Sequence, residues 1–122
     1  MAIDVEQSVK TFMKASGQGR DDTKYAVDLR IKLIDEEYDE LIEAINYGDR
    51  VQIAKELADL VYVVVGTAIT MGIPFNEVFG ALQISNMSKF DSDGKATFRD
   101  DGKVLKGPNY LEAEPAIREI LG

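Results

Sequence analysis

Apolar residues recur at i, i+3, i+4 and i+7 from Val27 through Ile31, Ile34, Tyr38, Leu41, Ile42 and Ile45. That period predicts one long amphipathic helix over residues 23–47. Asp22 or Thr23 is placed to cap its start. Asn46-Tyr47-Gly48-Asp49 should end it, with Gly48 just beyond the last turn. A second long helix is predicted from Asp49 or Arg50 to Met71. Its middle, Leu60-Val61-Tyr62-Val63-Val64-Val65, is apolar on every side. The β-branched run would suit a strand, but Glu56 to Ala68 keeps helical spacing and is flanked by the helix formers Ala54 and Ala68. A helix apolar all round is a buried one. Leu57, Val61, Val64 and Ala68 are therefore expected to be buried, in a central helix or at a subunit interface.

The remaining elements are shorter. Ile3, Val5, Val9, Phe12 and Met13 predict an imperfect amphipathic helix over residues 3–14, ended by Ser16-Gly17-Gln18-Gly19. Gly72-Ile73-Pro74 breaks the chain. A fourth helix should start at Pro74 or Phe75, turn Val78, Phe79, Leu82 and Met87 inward, and fade near Lys89. Asp93-Gly94 and Asp101-Gly102 are turn signals, so Ala96–Arg99 and Lys103–Lys106 should pair as a short hairpin. A last short helix is expected over residues 112–121. The fold class predicted is all-α: one domain, residues 1–122, a bundle of four main helices with a C-terminal loop or short hairpin arm. Few large apolar residues tie Asp91–Tyr110 down, so it is expected to be mobile until a ligand orders it.

The acidic residues change the picture. Glu37/Glu40 and Glu56/Asp59 are two pairs spaced three apart, separated by residues 41–55. Residues three apart share a helix face. Glu37 and Glu40 share theirs with Leu33 and Ala44, Glu56 and Asp59 theirs with Gln52 and Val63, with Leu41 and Leu60 alongside. Asp35 and Asp39 fall on the opposite side, as ordinary solvated charges. Two facing helices would bring four carboxylates to one point, where mutual repulsion calls for a hard divalent cation with oxygen ligands, Mg²⁺ foremost and Mn²⁺ as a substitute. The chain has no His and no Cys. That excludes imidazole and thiolate metal sites, including the Glu-x-x-His motifs of di-iron bundles. Arg30, one heptad before Glu37, is placed to pair a carboxylate or reach a phosphate. The bland alternative is a non-enzymatic helical interaction module whose acids are a solvated surface.

Composition sets the outer bounds. At 122 residues the chain suits a single domain, small enough to gain from oligomerisation. The absence of Cys fits a reducing, cytoplasmic interior. Met1-Ala2-Ile3-Asp4-Val5-Glu6 has neither the basic start nor the apolar core of a signal peptide. No apolar run is long enough for a membrane span. A net charge of −8 argues against a nucleic-acid polymer as partner. Charge is also uneven: Lys89, Lys95, Arg99, Lys103 and Lys106 make residues 88–110 locally basic.

Glu36-Glu37-x-x-Glu40 followed by Glu56-x-x-Asp59 resembles the EExxE…ExxD signature of the MazG-like all-α nucleotide pyrophosphohydrolases. Leu29-Arg30-x-x-Leu33-Ile34 before it, Ser85-Asn86-Met87-Ser88-Lys89 after it and the tail from Asp101 to Tyr110 are similar to the small phage-type and integron-type members. The chain departs from that pattern at Gln83 and Ile84, in place of His and a basic residue. The resemblance implies a helical, multimeric, Mg²⁺-dependent enzyme, a dimer or dimer of dimers. Such an enzyme hydrolyses nucleoside triphosphates, chiefly dNTPs in a house-cleaning role, to monophosphate and pyrophosphate. It also leaves room for a phosphoribosyl-ATP pyrophosphohydrolase of histidine biosynthesis. Carried over residue by residue, Glu37, Glu40, Glu56 and Asp59 look like the metal ligands and Glu36 like the base. Asn86 and Lys89 look like nucleotide contacts, and Lys95, Arg99, Lys103 and Lys106 like residues that close over the polyphosphate.

Overall fold

The computed structural model describes residues 2–90 and 93–122. Among these it holds five helices and no strand: α1 (Val5–Ala15), α2 (Lys24–Tyr47), α3 (Arg50–Thr70), α4 (Phe75–Met87) and α5 (Glu114–Leu121). The chain divides into two compact units, Met1–Phe75 and Asn76–Gly122. No single helix is long and apolar enough to cross a membrane.

The first unit is a three-helix assembly. Asp4 caps α1 by accepting from Gln7 N, and Thr23 caps α2 by accepting from Ala26 N. The α2–α3 junction is tight. Asp49 and Gln52 form a capping box in which each side chain bonds the other's backbone N–H. Gly48 is the C-cap of α2, and its φ of −92° and ψ of 178° are extended rather than left-handed. Its lack of a side chain serves close approach instead, because a Cβ there would meet Gln52 Oε1 at 2.7 Å and Ala44 O at 2.9 Å. α3 is the central element, packed on both α1 and α2. Val9, Met13 and Val65 form its core, with Ile69 and Phe75 against them. Full burial of a side chain such as Val9 or Val65 contributes about 1.5–3 kcal/mol.

The burial expected along α3 holds for Ala68 and fails for its neighbours. Leu57 is 49 % exposed and Val61 48 %, and Val64 also lies open. Two helices cannot surround a third, so one side of the apolar α3 is left without a cover. Leu57 and Val61 instead line an open cavity of about 600 Å³ with Ile3, Val5, Ala54, Ala58 and Tyr62.

In the second unit, α4 buries its small residues, Ala81 and Ser85, rather than the predicted large ones. Phe79, Leu82 and Met87 are exposed. The reason is what α4 packs on here: an extended tail, not a helix. Ser85 Oγ donates to Leu111 O at 2.7 Å and Leu111 N donates to Ser88 Oγ at 2.8 Å. A Cβ at Gly107 would fall on the carbonyl of Lys89. The predicted hairpin is present as a single antiparallel bridge, Phe98 to Val104, closed by Arg99 N→Lys103 O and Leu105 N→Thr97 O. Asp91 and Ser92, which begin the segment expected to be mobile, lie outside the described residues.

Candidate metal centre

Helical spacing brings three of the four expected acids from α2 and α3 together. Glu37 on α2 and Glu56 and Asp59 on α3 each offer a carboxylate oxygen, and the three atoms lie within 4.8 Å of one another. All three residues are half-buried. Glu37 Oε2 and Glu56 Oε2 are shielded from solvent and have no hydrogen-bond partner. Such orphaned acceptors each carry a desolvation cost of about 1–3 kcal/mol. Burial pushes the Glu37 carboxyl above its ordinary range, and the charges of Glu40 and Asp59, a hydrogen bond with the Glu40 carboxyl and the charge of Glu56 push it further the same way.

Lys55, not among the candidates from the sequence, also stands at this site. Lys55 Nζ lies 2.6 Å from Asp59 Oδ2 and 3.7 Å from Glu56 Oε1. The bond to Asp59 and the surrounding acids raise the Lys55 pKa. The signal was available, since Lys55 and Asp59 stand four apart on one helix. Lys55 is largely exposed, so it offsets the acids from the rim and leaves the two shielded oxygens unpartnered.

Glu40 lies outside the converging triad and is exposed, as is Glu36. Glu40 and Glu56 do share a pocket of about 270 Å³ with Glu43, Ala44, Tyr47, Gly48 and Gln52. From the sequence, Tyr47 stood only at a helix end, whereas Gln52 was placed on the face of Glu56 and Asp59. Arg30 is 7 % exposed, and its bonds are to α3: Nη2 donates to Val63 O at 2.9 Å and Nε to Thr67 Oγ1 at 3.3 Å. Burial lowers its pKa.

The remaining predicted ligand contacts belong to the second unit, and several are already engaged within it. Arg99 grips Asp101 with two bonds, Nε→Oδ1 at 2.8 Å and Nη2→Oδ2 at 2.6 Å. Lys106 Nζ sits 4.8 Å from the centre of the Tyr110 ring. Asn86, Lys95 and Lys103 are exposed and Lys89 is half-buried. Ser85 and Ser88, which share a motif with Asn86 and Lys89, hold Leu111 to α4.

The donor set fits a hard divalent cation. It consists of carboxylate oxygens, and Glu37 and Glu56 each carry a shielded oxygen with no hydrogen-bond partner. Glu37, Glu56 and Asp59 are the residues that can hold the ion.

A search of curated protein sequences returns no match. The sequence profile of the phosphoribosyl-ATP pyrophosphohydrolase family matches residues 6–86, about two thirds of the chain. The matched span contains the whole converging triad. The family has the MazG-like all-α pyrophosphohydrolase fold, and its members are hydrolases acting on phosphoric anhydrides. With most of its length matched, and with carboxylates converging between two of its helices, this chain belongs to the phosphoribosyl-ATP pyrophosphohydrolase family.

Proposed function

We propose that the protein is a divalent-cation-dependent nucleotide pyrophosphohydrolase. It cuts nucleoside triphosphates, deoxynucleotides foremost, between the α and β phosphates. The observation that carries this reading is the meeting of Glu37, Glu56 and Asp59 with two shielded, unpartnered oxygens. Mg²⁺ is the proposed ion and Mn²⁺ its substitute, with Glu40 as a fourth ligand from the same face of α2 as Glu37. When bound, the ion supplies charge neutralisation to phosphate oxygens and acidifies a coordinated water. Glu36, exposed beside the ligands, accepts the proton of the attacking water, a role worth roughly 10²–10⁴-fold in rate.

Asn86, Lys89, Lys95, Arg99, Lys103 and Lys106 are proposed to bind the anionic groups of the nucleotide. Arg99 would exchange Asp101 for a phosphate with the same two-pronged geometry, at little cost because the existing pair is exposed. The proposed assembly is a homo-oligomer, a dimer or dimer of dimers, built on the uncovered face of α3.

A second reading, phosphoribosyl-ATP as substrate, has the matched family behind it. The triphosphate reading rests on the resemblance of the blocks at 85–89 and 101–110 to the small phage-type and integron-type enzymes. Pyrophosphate release with Mg²⁺ from the ribo- and deoxynucleoside triphosphates and from phosphoribosyl-ATP separates them. Turnover strongest with a dNTP supports the first reading, and turnover of phosphoribosyl-ATP alone replaces it with the second. Release from none of them would leave the interaction module as the better account. Glu36→Gln should abolish turnover and spare metal affinity; loss of metal affinity instead would make Glu36 a ligand.

A further inference from the structure

Arg30 is a buried cation that makes no ion pair with an acid among the described residues. Its guanidinium spends its bonds on α3, on Val63 O and Thr67 Oγ1, and Thr67 Oγ1 in turn donates to Val63 O at 2.7 Å. Gly66 is what admits it, because a Cβ there would fall on Arg30 Nη2. The spacing from this contact to the acids is the same on both helices. Glu37 follows Arg30 by seven residues on α2, while Glu56 precedes Val63 by seven and Asp59 precedes Gly66 by seven on α3. Seven residues are two turns, about 10.5 Å. Two antiparallel helices touching at one point therefore touch again two turns on, where the carboxylates meet. A slip of α3 by one residue along α2 would move the acids apart by about 1.5 Å and rotate them by about 100°.

We propose that Arg30 and Gly66 form a register lock between α2 and α3 that holds Glu37 opposite Glu56 and Asp59. Arg30 is thus a positioning residue for the acidic centre rather than a phosphate contact. An apolar pair would stabilise the helix contact as well or better, but it would not fix the register. A planar fork bonded to one carbonyl and one hydroxyl fixes both height and rotation. The role rests on the metal-binding reading given above.

The test is Mn²⁺ affinity without nucleotide, followed by electron paramagnetic resonance, with thermal stability and nucleotide KM at saturating metal alongside. Gly66→Ala brings no charge or polar group and lies two turns from the acids. It should nevertheless weaken Mn²⁺ binding about tenfold, as loss of ligand-orienting groups does. Arg30→Ala should do the same, Thr67→Val less, and Arg30→Lys should restore part of the loss. The double variant Arg30→Ala/Gly66→Ala should be no worse than Arg30→Ala alone, and its melting temperature should exceed that of Gly66→Ala, since the added methyl then has room. This double variant carries the test if Gly66→Ala does not fold. KM should stay within about twofold of the unsubstituted protein. Unchanged Mn²⁺ affinity in Gly66→Ala and Arg30→Ala overturns the lock and leaves the metal centre standing. A raised KM in Arg30→Ala with normal Mn²⁺ affinity overturns it in favour of a phosphate contact. No Mn²⁺ binding by the unsubstituted protein overturns the metal reading and the lock together.

Discussion

At the level of single residues, the acidic centre is destabilising until something neutralises it. Glu37 Oε2 and Glu56 Oε2 are shielded from solvent and have no hydrogen-bond donor, and Lys55 reaches only the rim. Glu37→Gln should therefore raise the melting temperature of the metal-free protein while removing the rise that Mg²⁺ gives. Relieving one orphaned acceptor by about 1 kcal/mol corresponds to roughly 4 °C in a domain of this size. A lower metal-free melting temperature in Glu37→Gln would count against the repulsion described. The pH dependence follows from the same carboxyl. Its folded pKa is raised above the ordinary 4.5, so its contribution to stability is full below that pH and is lost as pH rises through the folded value. Lys55, whose pKa is also raised, keeps its contribution throughout this range. Metal-free stability should thus decline just above pH 4.5 relative to Glu37→Gln. The stabilisation by Mg²⁺ should grow over the same interval, as the proton leaves the ligand. Thermal melts at stepped pH, with and without Mg²⁺, read both trends.

At the level of elements, α4 and the tail behind it show how a motif can be read for chemistry and turn out to carry structure as well. Ser85 is 2 % exposed, and with Ser88 it fastens Leu111 to α4. Ser85→Ala would leave the Leu111 carbonyl without that donor, at a cost of about 1–3 kcal/mol. The matching observation is faster amide exchange at Tyr110 and Leu111 in the variant. The hairpin between residues 96 and 106 has less to hold it: one bridge, exposed Phe98 and an exposed Arg99–Asp101 pair. Its amides should exchange faster than those around Leu111, and a bound non-hydrolysable nucleotide should slow them. Equal strong protection with and without nucleotide would make the hairpin a static arm, not a closing one. The pairing of residues 96–99 with 103–106 was legible from the Asp101-Gly102 turn between them. The anchoring of the tail was not, because nothing in Ser85 or Ser88 says which distant carbonyl or amide it will meet.

At the level of the whole molecule, the apolar face of α3 is the largest discrepancy between pattern and burial. Ile3, Val5, Leu57, Val61 and Val64 remain exposed on a unit whose core cluster is Val9, Met13 and Val65, with Ile69 and Phe75 against it. A second copy of the chain is the occupant proposed above, since a two-fold interface covers such a face with itself. Val61→Asp places a charge at its centre and should shift the species seen by light scattering to half the mass or less. An unsubstituted protein that is monomeric at micromolar concentration would dispose of the oligomer.

The sequence by itself determined the five helices, because hydrophobic period, caps and breakers are local and act over a few residues. It also placed Glu37 and Glu40 on one helix face and Glu56 and Asp59 on another, because helical spacing fixes which side chains share a face; that three of the four converge was decided by the packing of α2 on α3. Only the tertiary structure decided which side of α3 is covered. It also decided that Arg30 bonds to α3, that Lys55 guards the acids and that Ser85 anchors the tail. Each of these depends on a partner far away in the chain or across a helix contact. An amphipathic pattern states that a surface must be buried, but not by what.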